Sequence, residues 1–339
     1  MSETVVLGLS GGVDSAVAAL ELTRRGFAVY CVYLDNGVGG PASAGEVADA
    51  LHLPFRVVDI RGALDAHVCR PFYESYLRGE TPSPCALCNT TVKFPALLAV
   101  ADELGADLVS TGHYARVADG PGGKAFLLRA DSDNDQSYLL ARLTPAQVAR
   151  CVFPLGSYEK SEVRAMAEEA GLPVAHKPDS MELCFVPGDD YAAWLEQYGP
   201  TPPPGDFVDP QGSVLGRHKG IHHYTLGQGS GLGVSGPHKY YVSAIRPETD
   251  QVVLSDGSDL FTHTVRCKDL NYLSIDALTA PKVVTARFRH SKGEEAALIY
   301  PQPDGTVAVE TAGAVRAPAP GQLAVFYEGD LVVGSGWII

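Results

Sequence analysis

The residues most suggestive of chemistry stand near the start of the chain, in the stretch Ser10-Gly11-Gly12-Val13-Asp14-Ser15. The apolar run 5–7 precedes it, and apolar residues at helical spacing follow it. A strand, a glycine turn and a helix in that order present backbone N–H groups at a helix N-terminus, where an anion binds. The glycines let the backbone approach phosphates, the serine hydroxyls can donate to them, and Asp14 can help to hold Mg²⁺.

The plain alternative is a glycine-rich turn between a strand and a helix that binds no ligand. The loop is not of the Walker type, because no Gly-Lys-Ser/Thr follows it. It resembles instead the SGGxDS loop of the ATP pyrophosphatases, which cut ATP between the α- and β-phosphates. This resemblance implies that the loop grips the pyrophosphate and leaves the α-phosphorus open to attack by a substrate oxygen.

A second candidate site is the cysteine pair in the stretch Thr81-Pro82-Ser83-Pro84-Cys85-Ala86-Leu87-Cys88-Asn89. A helix is predicted to begin behind it, at Lys93 and Phe94. A thiol near a helix N-terminus has a lowered pKa, so we expect Cys88 to be a thiolate. A third thiol, Cys184, stands among polar and turn residues that do not have the pattern of a core.

Three hypotheses explain these thiols. A zinc site needs four ligands, and a lone CxxC supplies only two of them, with no second CxxC or HxxxH in the chain. Redox or sulfur chemistry by Cys88 and Cys184 requires only that the two meet in space. An iron–sulfur cluster held by Cys85, Cys88 and Cys184 would leave one iron open to a sulfur ligand. The remaining cysteines are assigned to packing, namely Cys31, Cys69, Cys151 and Cys267.

The elements that must position these residues alternate between strand and helix. Strands are predicted at 5–9, 28–34, 55–60 and 108–110. Helices are predicted after the first loop, around 94–104 with Gly105 as the C-cap, and at 160–170. This βαβ order predicts an α/β domain with a doubly wound parallel sheet, whose ligands bind beyond the C-terminal strand ends. Ser10, Leu34 and Gly112 all lie at such ends, so one pocket can collect them.

The composition of the chain changes after Pro202-Pro203-Pro204-Gly205. Glycine and β-branched residues become frequent there, and strands are predicted at 283–289, 296–300, 307–310 and 323–327. We therefore predict three domains. These are an α/β catalytic domain at 1–204, a small β-rich central domain at 205–260 and a C-terminal β-barrel at 261–339.

Composition limits the classes of protein that the chain can belong to. The 339 residues are 45% hydrophobic, enough for a normal core. Without a run of about eighteen apolar residues or a secretory pattern, we expect neither a membrane partner nor export. Seven cysteines fit reduced thiols in the cytoplasm better than a disulfide framework. The net charge of −14 taken alone argues against nucleic acid as a partner, although an acidic protein can carry a local basic face.

The motifs taken together resemble those of the tRNA-specific 2-thiouridylases, which replace the 2-oxygen of the wobble uridine in certain tRNAs with sulfur. The order and spacing of the motifs carry the resemblance. The matching stretches are 8–15, 81–89 with Lys93-Phe94, 111–116, Asp135-Gln136-Ser137-Tyr138, Lys177-Pro178-Asp179-Ser180 with Cys184-Phe185, Tyr224-Thr225-Leu226-Gly227-Gln228 and Pro320-Gly321-Gln322.

The resemblance implies a role for each of these positions. Gly8, Leu9 and the stretch from Ser10 to Ser15 would form the ATP loop, and Leu34 and Gly112 would contact adenosine. Cys88 would be the catalytic nucleophile, and Cys184 would carry a persulfide. His113 would lie near the phosphates or serve as a structural histidine. The tRNA contacts implied are Ser83, Pro84, Cys85, Asn134, Asp135, Gln136, Arg289 and His290.

The implied reaction transfers AMP from ATP to O2 of a uridine that has left its stack. A persulfide on Cys184 then supplies sulfur to C2, AMP departs, and the two cysteines end as a disulfide. A sulfur-relay protein or a sulfide source must reload Cys184. The resemblance also implies a monomer that uses ATP and Mg²⁺.

The sequence departs from the family pattern at two places, and two other functions are alternatives to this interpretation. Cys85 occupies a position where some relatives carry an aspartate, and Gly229-Ser230 replaces the usual Arg-Lys pair of the central domain. The loss of two phosphate-binding cations predicts weaker or displaced tRNA contacts there. One rival is an ATP pyrophosphatase that adenylates a small carboxylate or amide. The other is an RNA-binding or sulfur-carrier module without catalysis.

Overall fold

The first part of the chain forms a parallel sheet covered by helices. The computed structural model describes residues 2–178, 183–290 and 293–339. Strands β1 to β7 are Thr4–Gly8, Ala28–Asp35, Phe55–Asp59, Leu108–Thr111, Arg116–Asp119, Ala125–Leu128 and Cys151–Val152. Five of them lie in the order β3-β2-β1-β4-β7, and all neighbours are parallel. The predicted doubly wound sheet is confirmed, and its C-terminal strand ends meet at one edge.

The helices follow the predicted spacing closely. Helices α1 to α10 are Val13–Arg24, Ala42–Ala50, Arg61–Leu64, Arg70–Leu77, Pro84–Cys88, Phe94–Leu104, Ser137–Leu140, Pro145–Val148, Lys160–Glu169 and Tyr191–Tyr198. Helix α6 ends where Gly105 takes a left-handed conformation with φ of 63°, as the sequence predicts. One π-helical turn, Asp65–Cys69, joins α3 to α4, and another, Asn89–Lys93, joins α5 to α6.

The helical run from α5 through α6 has a feature that the sequence analysis did not anticipate. Its 21 residues, Pro84–Leu104, are long and apolar enough to cross a membrane by length and composition alone. Half of its most apolar window is buried inside the protein. Phe94, Leu97 and Val100 pack in the same core as Val6 of β1 and Val109 of β4. In this structure the run is therefore a core helix of the sheet.

The second half of the chain forms two further sheets. Strands β8 to β11, at Asp206–Val208, Val214–Arg217, Tyr241–Arg246 and Gln251–Ser255, lie in the order β10-β11-β8-β9. Strands β12 to β17 are Phe261–Tyr272, Lys282–Arg287, Glu294–Pro301, Val307–Arg316, Leu323–Glu328 and Leu331–Ile338. These strands lie in the order β12-β15-β14-β13-β16-β17, and pairing of β12 with β17 closes them into the predicted barrel.

The hairpin of β5 and β6 connects the first sheet to the barrel, and sequence analysis missed it. Leu128 pairs with Leu331, so the hairpin extends the sheet of β17. Leu127 is fully buried in a core that also contains Leu97 of α6 and Val325 of β16. The catalytic part and the barrel thus share one continuous core. The boundaries at 204 and 260 stay predictions.

Candidate functional site

The loop after β1 is held closed by its own serines. Ser10 N donates to Ser15 Oγ at 3.2 Å, and Ser15 Oγ donates to the Gly12 carbonyl at 3.1 Å. The hydroxyls of Ser10 and Ser15 lie 3.1 Å apart. A Cβ placed on Gly12 would meet only Ser10 Oγ, at the ordinary distance of 3.5 Å. The space over Gly12 at the start of α1 is therefore open to an anion.

Two other glycines allow neighbouring segments to approach this loop. Gly11 has φ of +74°, and a Cβ there would lie 2.9 Å from the Ala44 nitrogen. A Cβ on Gly112, which follows β4, would lie 2.7 Å from the Ser15 nitrogen. Because both contacts are with backbone, neither neighbour has a flexible side chain that can move aside. The predicted adenosine contact Gly112 is thereby packed against the first turn of α1.

Two lysines bring positive charge to the loop. Lys160, the first residue of α9, contacts Asp14 Oδ1 through Nζ at 2.6 Å, and the Tyr114 hydroxyl donates to the same oxygen at 2.7 Å. Lys177 Nζ donates to the Gly11 carbonyl at 2.9 Å. Ammonium groups beside open backbone N–H groups favour a polyphosphate. Sequence analysis gave Lys160 no role, because its proximity to Asp14 depends on how α9 packs against α1.

His113 is a half-buried side chain that stays neutral. Its Nδ1 lies 2.7 Å from Thr111 Oγ1, and its ring lies near Phe94 and Phe153. Burial, assisted by the charge of Lys93, lowers the pKa of His113 to about 3. His113 can therefore act at the site as a hydrogen-bonding group but not as a cation.

The cysteine pair lies in the helix rather than before it. Helical geometry begins at Pro84, whose missing N–H suits the first helical turn, and it continues through Cys88 into the π-turn Asn89–Lys93. Helix α6 begins at Phe94 as predicted, but helical turns already run from Pro84 to Lys93, so the cysteines do not precede the first helical turn. Cys85 lies next to the helix N-terminus, while Cys88 lies one turn further inside.

The predicted thiolate at Cys88 is also wrong for this structure. Cys88 is 8% exposed and packs with Val68, Phe72, Val92 and Phe185. Burial raises the pKa of the Cys88 thiol to about 11, although the charge of Lys93 lowers it. Sequence spacing did not reveal these apolar neighbours, because they come from three separate segments of the chain, one with Val68 and Phe72, one with Val92 and one with Phe185.

The structure brings Cys85, Cys88 and Cys184 together. Cys184 is exposed, and its carbonyl accepts a hydrogen bond of 2.9 Å from Asn36 Nδ2, just beyond β2. A negative charge on Cys184 raises the pKa of both Cys85 and Cys88, so the three sulfur atoms lie within electrostatic range. Cys85 faces the solvent, yet the protein atoms crowded around it reduce its hydration and raise the pKa of its thiol.

A continuous series of contacts links the loop to the thiols. Gly112 lies against the loop, and His113 follows it in sequence. The charge of Lys93 acts on both His113 and Cys88. Leu34, at the end of β2, packs in two neighbouring apolar clusters, one of which contains Cys88. The predicted nucleotide and thiol residues thus occupy one edge of the parallel sheet.

The segment that leads into the cysteine pair is held by the two later domains. Gln322 Nε2 donates to the carbonyls of Thr81 at 2.9 Å and Pro82 at 3.1 Å. Thr81 N donates to the Pro320 carbonyl at 2.8 Å, and its hydroxyl lies 3.3 Å from Thr225 Oγ1. Sequence analysis quoted the two motifs that contain Thr225 and Gln322 but did not predict that they contact Thr81. Their order along the chain was the signal available.

The predicted tRNA contacts gather around Tyr138. The Tyr138 hydroxyl donates to the Leu323 carbonyl at 2.7 Å, burial raises the pKa of Tyr138 while Ser83 lowers it, and the His290 ring lies 6.0 Å from the Tyr138 ring. Pro84 is buried at the helix start, and Asn134 is exposed. Gln136 Oε1 accepts a hydrogen bond of 3.1 Å from Tyr114 N, which ties this loop to the nucleotide side.

Asp135 has an internal role in this structure. Its carboxylate accepts hydrogen bonds from the backbone N–H of Ala130 and from both the N–H and the hydroxyl of Ser137. It also contacts the buried Arg287 at 3.3 Å. With these donors in place, Asp135 fastens α7 to the barrel.

Cations and an aromatic ring lie next to Gly229. Arg289 donates to the carbonyls of Arg316 and Ala317, and the Arg316 guanidinium lies 5.1 Å from the centre of the Tyr241 ring. Lys239 lies 5.3 Å from the same centre. A Cβ on Gly229 would lie 2.5 Å from the Tyr241 ring. A side chain at position 229 would thus require Tyr241 to move.

Comparison with known proteins matches the whole chain. Residues 3–188 match the tRNA methyl transferase HUP domain, 192–256 the tRNA methyl transferase PRC-barrel domain, and 262–338 the aminomethyltransferase beta-barrel domain. The tRNA-specific 2-thiouridylase MnmA of Lachnoclostridium phytofermentans is 40% identical over 353 residues, which cover 99% of both chains. That of Heliobacterium modesticaldum is 42% identical and covers 100% of this chain and 93% of its own. The chain belongs to the tRNA-specific 2-thiouridylase family.

Family membership confirms the recognition made from the motifs, and the three domain matches agree with the observed sheet, central domain and barrel. Within this 2-thiouridylase, the roles of individual residues stay predictions. Asp179 and Ser180 of one quoted motif lie outside the described residues.

Proposed function

We propose that this 2-thiouridylase works at one sheet edge in two half-reactions, adenylation of a tRNA uridine at O2 and sulfur transfer to C2. The observation that supports the proposal most is the convergence of the loop 10–15 with Cys88 and Cys184. A phosphate site alone serves any ATP pyrophosphatase. Thiols beside it are what sulfur transfer requires.

In the first half-reaction the loop binds the triphosphate of ATP. Backbone N–H groups at Gly12 and Val13, with Lys160 and Lys177, face the β- and γ-phosphates. Lys160 and the Tyr114 hydroxyl, the donors to Asp14 among the described residues, contact Oδ1, and we assign the other carboxylate oxygen, Oδ2, to Mg²⁺. When bound, Mg²⁺ would neutralise phosphate charge. The uridine O2 attacks the α-phosphorus, and pyrophosphate leaves.

The second half-reaction uses Cys184 as carrier and Cys88 as nucleophile. The terminal sulfur of a Cys184 persulfide attacks C2, AMP leaves, and a disulfide links the base sulfur to Cys184. The Cys88 thiolate attacks Cys184 Sγ, the bond to the base sulfur breaks, and 2-thiouridine leaves. Both electrons of the broken bond go to the product. A thiol reductant opens the resulting Cys88–Cys184 disulfide, after which a sulfur-relay protein transfers the outer sulfur of its own persulfide to Cys184. Sulfide can instead attack Cys184 Sγ of that disulfide, which releases the Cys88 thiolate and leaves a persulfide on Cys184.

Lys93 supplies the activation that Cys88 needs. With a pKa of about 11, only about one Cys88 in a thousand is a thiolate at pH 8. Lys93 is the cation that lowers this pKa. An electropositive group beside a buried thiol suits a nucleophile that must stay unreactive until the substrate sulfur arrives.

The tRNA would lie over Ser83, Pro84 and Cys85 and across the barrel. Arg289, Arg316 and Lys239 form a local basic face on a chain whose net charge is −14. In this arrangement Lys239 and Arg316 replace the cations absent at Gly229 and Ser230. A single chain carries every group that the proposed reaction uses, so we propose that the protein acts as a monomer. We also propose that it works in the cytoplasm, where thiols stay reduced.

A cluster held by Cys85, Cys88 and Cys184 is the alternative use of the same thiols. We favour the two-cysteine relay because Cys184 is exposed to a donor while Cys88 is enclosed. Iron content and visible absorbance after anaerobic purification separate the two. Stoichiometric iron that is required for thiolation would overturn the relay.

The test uses full-length protein with ATP, sulfide and total tRNA, followed by nucleoside mass spectrometry. Cys88→Ser and Cys184→Ser should each abolish 2-thiouridine while ATP still binds. Cys267→Ser, a change in a buried barrel cysteine, is the control and should keep activity. Normal thiolation by either site variant refutes the assigned roles. Adenylation of a small carboxylate without tRNA would favour the rival pyrophosphatase.

A further inference from the structure

Two adjacent histidines and a glutamate face one another where α10 meets the central sheet, away from the site described above. His222 and His223 end the short 3₁₀ turn Ile221–His223. Glu196 lies on α10. Its Oε1 lies 3.4 Å from His222 Nε2 and 3.2 Å from His223 Nε2. Two imidazole nitrogens thus converge on one carboxylate oxygen.

The spacing of these atoms matches that of metal ligands. Ligand atoms bound about 2.0–2.1 Å from a tetrahedral Zn²⁺ lie about 3.3 Å from one another. The two measured distances, 3.4 Å and 3.2 Å, lie on either side of that value. One ligand atom from each residue lies within 4.8 Å of the other two. A small side-chain rotation would therefore bring the two imidazole nitrogens to the separation that a shared zinc ion requires. Two imidazoles and a carboxylate form a known zinc ligand set, completed by water.

The surroundings of the cluster also favour a ligand. His222 is 1% exposed, and within the part of the chain that the structure describes its Nδ1 has no hydrogen-bond partner. Its Nε2, which faces Glu196 at 3.4 Å, is therefore the nitrogen that would bind the ion, and Nδ1 takes no part in the proposed site. The side chains of His223 and Glu196 are 22% and 49% exposed, so an ion can enter from solvent and retain a water molecule.

We propose that Glu196, His222 and His223 bind a divalent transition-metal ion, best matched by Zn²⁺, which fastens α10 to the central sheet. Imidazole and carboxylate ligands suit zinc, while Mg²⁺ and Ca²⁺ require oxygen ligands. The turn continues through Tyr224 to Thr225, which contacts Thr81 at 3.3 Å in the segment before the cysteine pair. The ion would therefore support that segment from outside the active site.

The experiment measures Zn²⁺ bound to full-length protein that has been stripped with a chelator and dialysed against a zinc series. Glu196→Gln keeps the shape of the side chain and removes its charge, and His223→Phe removes one imidazole. His176→Asn is the matched control, because His176 lies 3.7 Å from Glu168 in an exposed pair without a second imidazole. We expect at least tenfold weaker zinc binding, or loss of one equivalent, in both site variants, and wild-type binding in the control.

The cysteines are a second place where zinc can bind, and the comparison between variants separates the two. Zinc on the cysteines stays in Glu196→Gln. With Co²⁺ as probe, the absorbance lost in Glu196→Gln should lack sulfur-to-metal charge transfer, since no thiolate is among the proposed ligands. Equal zinc binding by wild type and both variants, or a lost spectrum with sulfur character, overturns the proposal. Circular dichroism checks that each variant is folded, and thiolation activity has no part in the readout.

Discussion

The phosphate loop and the thiol site lie at the same sheet edge but are stabilised differently. The loop is fixed by hydrogen bonds within six residues, between Ser10, Gly12 and Ser15. At the thiol site, Cys88 is enclosed by apolar side chains, and the side-chain amide of Asn36 donates a hydrogen bond to the Cys184 carbonyl. The difference suits the two tasks, because phosphates must stay in place while sulfur must pass between partners. Variants that affect one region and spare the other test this contrast.

The largest effect is expected from Gly112→Ala. The new Cβ would lie 2.7 Å from the Ser15 nitrogen, so the backbone of the loop must shift. We expect AMP release and 2-thiouridine formation to fall together on the order of 100-fold, since a displacement of about 1 Å has such an effect on catalysis. Both products are measured in one reaction.

Gly45→Ala in α2 is the matched control, because its Cβ would meet Phe55 at the ordinary distance of 3.8 Å. Retention of AMP release by Gly112→Ala would show that the loop tolerates displacement.

Lys93→Met should slow sulfur transfer and spare adenylation. Without the ammonium group the pKa of Cys88 rises above its value of about 11, because burial is no longer opposed. The thiolate population at a given pH below that pKa therefore falls, by about tenfold for each unit of change. Thiolation should be about tenfold slower at pH 8, and its rate should still be rising at more alkaline pH than in wild type.

The rate at which iodoacetamide alkylates Cys88 gives the same pKa independently of tRNA. Lys124→Met, a change in an exposed lysine paired with Asp276, is the control. An unchanged pH profile in Lys93→Met would remove Lys93 from the mechanism.

Gln322→Leu should weaken the attachment of the segment before the cysteine pair to the barrel. It removes hydrogen bonds to the carbonyls of Thr81 and Pro82 while keeping most of the side-chain volume. Two such bonds contribute about 1–3 kcal/mol, so we expect about a tenfold rise in KM for tRNA. ATP binding should not change. Gln302→Leu in a barrel turn serves as the control, and an equal effect there would contradict the assignment.

Asn36→Ala should have the smallest effect. It removes the 2.9 Å hydrogen bond to the Cys184 carbonyl, which is exposed and contributes about 1 kcal/mol. We expect thiolation to fall about fivefold at saturating ATP, with AMP release unchanged. Single-turnover assays separate the two steps. A larger loss of AMP release than of thiolation would place Asn36 on the nucleotide side.

Local sequence predicts the conformation of the loop 10–15 well because its contacts are local. Each hydrogen bond that closes the loop joins residues at most five positions apart. The same reason explains the success of the strand and helix predictions in the first sheet and at Gly105. Lys160 was missed and Lys177 was quoted only as part of a motif, because they lie 146 and 166 residues from Asp14 and Gly11, which they contact.

The sequence by itself determined the loop, the parallel sheet and the family, since these depend on residue types at short and regular spacing. Only the tertiary structure decided the state of the thiols. Burial of Cys88 by side chains from separate segments of the chain outweighs the Lys93 charge and raises the pKa of its thiol, where spacing alone predicted the opposite. The hairpin of β5 and β6 and the cluster of Glu196, His222 and His223 were likewise revealed only by the tertiary structure. Burial and electrostatics sum over neighbours in space, and a linear pattern does not record those neighbours.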